Sequence, residues 1–488
     1  GMVPHDAKQR LGLNVADPGN WNDYKRPAFL LPTDKRFAEI AAIYYKEMQK
    51  LYGKAQYYSM DPFHEGGNAR GVDLGKAGEA IMSAMKAANP KAVWVAQAWG
   101  ACPYPDMIKH LKNGDMLVLD LYSETRPQWG DPESTWLRKE GFNGHDWAFC
   151  MLLNFGSNVG LYGKLQHVVD EYYKARQSKF ASTLKGVGLT MEGIENNPVM
   201  YELVSELPWR NNKFGWQEWL NNYVEARYGN INNTKVHDAW MLLARSVYGA
   251  SDKVLEQGCH ESVLCARPAL DVYQVSSWSE MEEFYNPDDV IRAAQLMVEA
   301  SHEVKANANF RYDLVDITRQ AIAEKARYVY AEIVAAYRAK DRKMFDYTTK
   351  RFLDIILQQD RLLSSIPDFM VGSWIRSARN LGTNTQESNH YEWNARVQIT
   401  TWGNRDAAEK GGLREYAHKE WNGVLADFYY PRWKAYFEAL AATIDGKPMK
   451  NIDFYAMDEA WTLKHNVYPY EAQGDAVEFA QKAVAEVL

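Results

Sequence analysis

The chain has 488 residues, 46% of them hydrophobic and 24% charged, with a formal net charge of -7. That length exceeds one ordinary core and points to two or more domains. The mildly acidic balance, with no basic block, argues against nucleic-acid binding, and no apolar run is long enough to span a bilayer.

From residue 1 to about 205, short apolar runs alternate with helical patterns. Five runs read as buried parallel strands: 56–63, 92–99, 116–122, 147–155 and 186–192. Between the first two, Ala77, Ile81, Met85 and Ala88 recur at helical spacing over 75–88. Buried strands alternating with helices predict βα units and a parallel sheet. Each strand runs into polar or aromatic residues. The ends are Asp61-Pro62-Phe63-His64-Glu65, Gln97-Ala98-Trp99-Gly100, Asp120-Leu121-Tyr122-Ser123-Glu124, Asn154-Phe155-Gly156-Ser157-Asn158 and Thr190-Met191-Glu192-Gly193. Functional residues at every strand end are the habit of a (β/α)8 barrel; an open doubly wound sheet places them mainly at one crevice.

Beyond about 206 the apolar spacing becomes helical and stays so. Val315, Ile322, Val329, Ile333 and Ala336 predict a long amphipathic helix over 312–340. Further helices are predicted near 216–228, 236–248, 288–303, 344–365, 412–428 and 431–444. The fold class expected is therefore an incomplete (β/α)8 barrel over 1–205, followed by an all-α domain over 206–488. A whole barrel takes about 250 residues, more than the first part offers. The opening Gly1-Met2-Val3-Pro4-His5 reads as the end of a strand: either the first barrel strands are missing from this chain, or the sheet is not a barrel.

Two carboxyl groups flanking a scissile bond are the requirement of glycoside hydrolysis, and rigid strand ends fix their separation well. Glu65, before Gly66-Gly67, and Glu192, before Gly193, are the strand-end glutamates with the most suggestive surroundings. Asp61, Asp120 and Glu124 are rivals, or partners that position other groups. The 17 Trp and 30 Tyr suit either a packed core or a sugar site, because a pyranose stacks its C–H face on a ring. HExxH and GxSxG motifs are absent, and 71–76 only partly resembles a phosphate loop. Cys102, Cys150, Cys259 and Cys265 show no CxxC spacing, so no zinc or disulfide framework is expected. Cys259 and Cys265 share one short segment, and their pairing stays open.

The motifs resemble a known family, the α-N-acetylglucosaminidases of glycoside hydrolase family 89. The resemblance covers nearly the whole chain. It rests on Asp61-Pro62-Phe63-His64-Glu65, the block Ala92 to Trp99, Cys150-Met151-Leu152-Leu153-Asn154-Phe155-Gly156, and Gly188-Leu189-Thr190-Met191-Glu192-Gly193-Ile194-Glu195-Asn196-Asn197. It continues in Glu206-Leu207-Pro208-Trp209-Arg210, Phe310-Arg311-Tyr312-Asp313-Leu314 and Gln398-Ile399-Thr400-Thr401-Trp402-Gly403.

The resemblance implies a small N-terminal domain, a barrel and a helical domain that contributes to the active site; because it begins inside the barrel, the small domain and the first barrel strands are expected to be missing from this chain. It implies a retaining mechanism on terminal α-linked N-acetylglucosamine, with Glu65 as general acid/base and Glu192 as nucleophile. Trp99, Trp402, Trp21 and His64 would bind the sugar, His64 standing where the family often has Asn. The segment Gly66-Gly67-Asn68-Ala69-Arg70 departs from the family pattern on the leaving-group side. No metal or organic cofactor is implied. The partners implied are a glycan with terminal α-N-acetylglucosamine and a possible second copy of the chain, with no nucleic acid. The resemblance also implies an exported protein, although no signal peptide is read in this chain. Two other readings are a carbohydrate-binding protein without catalysis and a retaining α-glycosidase of other specificity.

Overall fold

Residues 57–189 alternate parallel strands with crossover connections, most of them helical, because the buried central runs need cover on both faces. The structure is a computed structural model. It describes all residues except 1, 5, 18, 23, 194–196, 230, 232, 252–260 and 277–282. Short strands open the chain: Met2–Val3 (β1), Val15–Ala16 (β2), Asn20–Trp21 (β3), Tyr24–Lys25 (β4) and Ala28–Leu30 (β5). β1 and β2 pair antiparallel with the buried β5, and β3 and β4 form a separate hairpin. The opening segment is thus a strand, but it stands outside the parallel sheet.

The parallel sheet contains Tyr57–Ser59 (β6), Val93–Ala98 (β7), Met116–Asp120 (β8), Asp146–Met151 (β9) and Leu184–Leu189 (β10), in the order β10-β9-β8-β7-β6. Each strand neighbours the next in sequence, the arrangement of a (β/α)8-type wall. All five overlap the predicted runs, but the expected burial holds only inside the sheet: at its edges β6 buries only Tyr58 and β10 buries no residue fully, since an edge strand is covered on fewer sides. Helix Leu74–Ala88 crosses from β6 to β7. Asp73 caps it by accepting from the Lys76 N–H at 3.1 Å, and Ala77, Ile81 and Met85 are buried on its inner face. Helix Leu165–Gln177 crosses from β9 to β10. Among the described residues, the connection from β8 to β9 carries no helix. It is tied instead by Arg138, which donates to the Cys102 and Pro103 carbonyls, each at 2.7 Å, and to the Gln128 side chain at 2.6 Å.

The chain divides into two compact units. One comprises Gly1–Leu153, His167–Thr190 and Tyr201–Lys213; the other comprises Asn154–Gln166, Met191–Met200 and Phe214–Leu488. The second is built around helix Ala308–Arg338, buried at every position from Asp313 to Glu324. A helix buried on all sides is a core element. Helices Pro287–Val304, Arg342–Leu363 and Ala476–Val487 pack against it. Its buried Asp313, Asp316 and Arg319 are paired, as burial of charge requires. Arg319 binds Asp316 and Glu420, each at 2.7 Å, and Asp313 accepts from Arg227 at 2.5 Å and Tyr228 at 2.6 Å.

The helices predicted near 216–228, 236–248, 288–303, 312–340, 344–365 and 431–444 are present. The helix expected over 412–428 is not. Residues 412–422 form turns and extended chain, and a π-helical turn begins only at Leu425–Tyr429. The apolar spacing there misled because the polar positions are buried too: Glu415, His418, Lys419, Glu420 and Asn422 all lie inside. Glu415 takes a left-handed conformation (φ 58°), and Asp360 captures the Gly423 and Ala426 N–H groups at 2.6 and 3.1 Å. Side chains thus replace the helical ladder. Cys102, Cys150 and Cys265 are buried free thiols, and Cys259 lies outside the described residues. No helix among the described residues is long and apolar enough to cross a membrane.

Candidate active site

In the first unit, the chain leaves β6 and turns sharply at Phe63-His64-Glu65-Gly66-Gly67. Phe63, Glu65 and Gly66 are left-handed, with φ of 61°, 50° and 76°. Such backbone costs on the order of 1 kcal/mol or more per non-glycine residue and persists only when its surroundings enforce it. Three contacts do so. Phe63 is buried with its ring 4.6 Å from Phe29. The Cys102 thiol donates to the Phe63 carbonyl at 3.4 Å. The Arg26 guanidinium donates to the carbonyls of His64 at 3.2 Å and Glu65 at 2.6 Å. A Cβ on Gly67 would fall 2.7 Å from the Phe63 backbone, so this tight return needs glycine. The Glu65 carboxyl is exposed. His64 is half-buried, and its Nε2 has no hydrogen-bond partner among the described residues.

Trp99 lies just beyond β7. Its ring meets Trp136 edge to face at 4.9 Å and Tyr122 at 6.2 Å, and the Arg126 guanidinium covers Trp136 at 5.1 Å. The turn at Trp99 pairs with Cys102, whose thiol reaches the Glu65 loop. Burial pushes that thiol up to about 11, which suits its packing role. Trp21 sits in the β3–β4 hairpin, whose following Arg26 pins the Glu65 loop. Glu65, His64, Trp99 and Trp21 therefore share one unit. Arg26 and Trp136 carried no signal in the sequence: an arginine after a hairpin and a tryptophan in a long connection match no motif.

The rival carboxylates hold backbone. Asp61 accepts from the Gln97 N–H at 2.6 Å. Asp120, at the end of β8, accepts from the Gln128 and Trp129 N–H groups at 2.8 and 3.0 Å. Burial raises both, Asp120 to about 7. Buried Glu124 accepts from the Leu152 and Leu153 N–H groups at 2.9 and 2.8 Å. Each commits one carboxylate oxygen to loop backbone.

Glu192 belongs to the second unit, and its side chain is exposed. Its Oε2 accepts from the Gly156 N–H at 2.5 Å and the Tyr416 hydroxyl at 2.9 Å. Its Oε1 accepts no hydrogen bond from the described residues. Gly156 is left-handed (φ 62°), and a Cβ there would fall 1.9 Å from the Tyr416 carbonyl oxygen. Lys419, buried, donates to the Gly156 carbonyl at 3.0 Å and also to that of Ser157. The Trp402 ring lies 5.4 Å from that of Tyr416. Trp402 is left-handed too (φ 59°) and donates its N–H to the Val397 carbonyl at 2.8 Å. The loop bearing both aromatics is anchored by Glu415, whose N–H reaches the Thr400 carbonyl at 2.7 Å. Burial alone would raise the Glu415 carboxyl; Arg432, Arg267 and Arg414 outweigh it and hold it low. Tyr416 and Lys419 carry no signal in the sequence, because they lie in the stretch whose apolar spacing predicts a helix. Among the described residues no group of three or more His, Cys, Asp or Glu side chains is placed to hold a metal ion.

Two family models match the chain. The tim-barrel domain of α-N-acetylglucosaminidase matches residues 1–211, and the C-terminal domain of the same family matches residues 219–486. A human protein named alpha-N-acetylglucosaminidase is 32% identical over 492 residues, covering 96% of this chain and 63% of its own length. A family 89 glycoside hydrolase from Clostridium perfringens, in complex with 2-acetamido-1,2-dideoxynojirmycin, superposes with a TM-score of 0.92 at 31% identity. That match covers 100% of this chain and 56% of the other. A Clostridium perfringens enzyme with two glutamates changed to glutamine, bound to its substrate GlcNAc-α-1,4-galactose, matches with a TM-score of 0.91 at 31% identity, covering 99% of this chain and 55% of the other. The chain thus spans somewhat over half the length of these relatives. By both domain matches, the chain belongs to the α-N-acetylglucosaminidase family, glycoside hydrolase family 89.

Proposed function

We propose that this chain removes terminal α-linked N-acetylglucosamine from glycans by a retaining double displacement, with Glu65 as acid/base and Glu192 as nucleophile. Residues 1–205 are read as the barrel portion and 206–488 as the helical domain that lends Trp402 to the site. The observation that carries the reading is the state of Glu192. One oxygen is fixed by two donors, and the other is left to attack. In the first step Oε1 bonds to the anomeric carbon while the glycosidic C–O bond breaks. The leaving oxygen takes the Glu65 proton. In the second step water attacks the same carbon and gives its proton to Glu65. The carbon–Oε1 bond breaks, and its electron pair returns to Glu192. An exposed Glu65 carboxyl on a locked backbone suits a group that must give and take a proton. Trp99, Trp402, Trp21 and His64 are assigned to the sugar.

Members of the family bind an N-acetylated iminosugar and GlcNAc-α-1,4-galactose. The first natural-type substrate to try is therefore N-acetylglucosamine α-linked to galactose. The test is release of nitrophenol from 4-nitrophenyl α-N-acetylglucosaminide, with the sugar product followed by proton NMR. Hydrolysis with initial formation of the α-anomer supports the reading. Initial β-anomer overturns retention, and faster cleavage of the α-glucoside overturns the specificity.

A further inference from the structure

We propose that Tyr416 is a positioning residue that assists departure of the Glu192 carboxylate in the second step. The inference rests on the reading of Glu192 as nucleophile. Its own basis is the hydrogen bond from the Tyr416 hydroxyl to Oε2, at 2.9 Å. Three observations make this contact a built one. The Tyr416 ring is braced against Trp402 at 5.4 Å. The segment bearing it is fixed by the buried Glu415, which is ion-paired to the buried Arg432. Lys419, three residues on, holds the Gly156–Ser157 carbonyls, so one loop controls both donors to Oε2.

The chemistry follows from where charge sits. In the free enzyme Oε2 belongs to a carboxylate; in the glycosyl-enzyme it is the carbonyl oxygen of a neutral ester. The hydrogen bond is therefore weakest in the intermediate and strengthens as the carboxylate leaves. Donors that tighten as charge develops lower that barrier. In the first step the same bond is already present in the ground state, so it gives little net acceleration. Loss of the hydroxyl should thus slow deglycosylation more than glycosylation. A hydrogen bond to a charged group corresponds to roughly a 10- to 100-fold effect.

The experiment compares the intact chain with Tyr416→Phe and Glu192→Ala on 4-nitrophenyl α-N-acetylglucosaminide. Phenylalanine keeps the ring against Trp402 and deletes only the hydroxyl. The expected result is a kcat lower by about 10- to 100-fold and a lower KM, with kcat/KM changed by less than about 5-fold. A burst of nearly one nitrophenol per chain should precede slow turnover. Mass spectrometry should then show a trapped N-acetylhexosaminyl adduct on the peptide bearing Glu192. An unchanged kcat, or kcat and kcat/KM falling equally without a burst, overturns the role of Tyr416. If Glu192→Ala is inactive while Tyr416→Phe is normal, only this inference fails. If Glu192→Ala still turns over, or the intact chain releases no nitrophenol, the underlying reading fails with it. A melting temperature of Tyr416→Phe close to that of the parent keeps these outcomes from being a folding effect.

Discussion

Glu65 and Glu192 both follow strands of the same parallel sheet, and they are held by different means. Around Glu65 the backbone is locked: its carbonyl and that of His64 are taken by Arg26, and three residues are left-handed. Its carboxyl is left exposed. Around Glu192 the side chain itself is locked, by one backbone N–H and one hydroxyl on the same oxygen. The contrast suits the two duties proposed for them. An acid/base exchanges protons with substrate and water, so its oxygens must stay accessible. A nucleophile needs one oxygen aimed and the other stabilised.

The largest expected effect is at the side-chain lock. Glu192→Gln removes the carboxylate proposed as nucleophile and should cut turnover on the order of 10⁴-fold or more, read as nitrophenol release. Azide added to Glu192→Ala should restore turnover and yield a β-glycosyl azide; a product of unchanged configuration would mean that Glu192 does not attack. Glu65→Gln should cost about 10²- to 10⁴-fold on a galactose leaving group, which needs a proton, and distinctly less on nitrophenolate, which does not. Equal losses on both would remove Glu65 from the acid role.

The middle of the scale tests how the two glutamates are aimed. Gly156→Ala puts a methyl 1.9 Å from the Tyr416 carbonyl at a left-handed position, so the turn must move away from Glu192. A displacement near 1 Å costs about 100-fold in rate. The loss should appear in kcat with the protein still folded by circular dichroism. A normal kcat would show that the Tyr416 hydroxyl alone aims the carboxylate.

Much of this arrangement was legible in the sequence. The five parallel strands were, because short apolar runs such as 92–99 alternate with helical patterns and lead into polar or aromatic residues. Glu65 and Glu192 stood out because strand-then-glycine is a local signal. The long helix Ala308–Arg338 announced itself by periodicity. What stayed hidden was held together across long sequence distances. Tyr416 reaches Glu192 from 224 residues away, and Arg26 reaches Glu65 from 39. The 412–428 stretch misled because its buried charges are satisfied by distant partners, which no periodicity reports. Helix Thr385–Gln398 was overlooked because only Glu392, Ala395 and Arg396 are buried on it, two of them an ion pair.

The backbone lock gives the smallest effect and the sharpest contrast. Arg26→Ala removes two hydrogen bonds that hold a strained turn, each contributing about 1 kcal/mol, so the loop relaxes toward ordinary φ angles. The Glu65 carboxyl then samples several positions, and turnover should fall about 10-fold. Because no reacting group is lost, the acid/base chemistry itself survives. Free guanidinium ion at millimolar concentration should recover part of the rate. Arg26→Lys should recover less than the parent level, since an ammonium is a point charge and cannot present the planar fork that serves both carbonyls. Proteolysis within 63–70 should quicken in parallel with the loss of rate. If Arg26→Ala turns over normally while its loop becomes protease-sensitive, Glu65 does not depend on its backbone for aim, and the contrast between the two glutamates collapses.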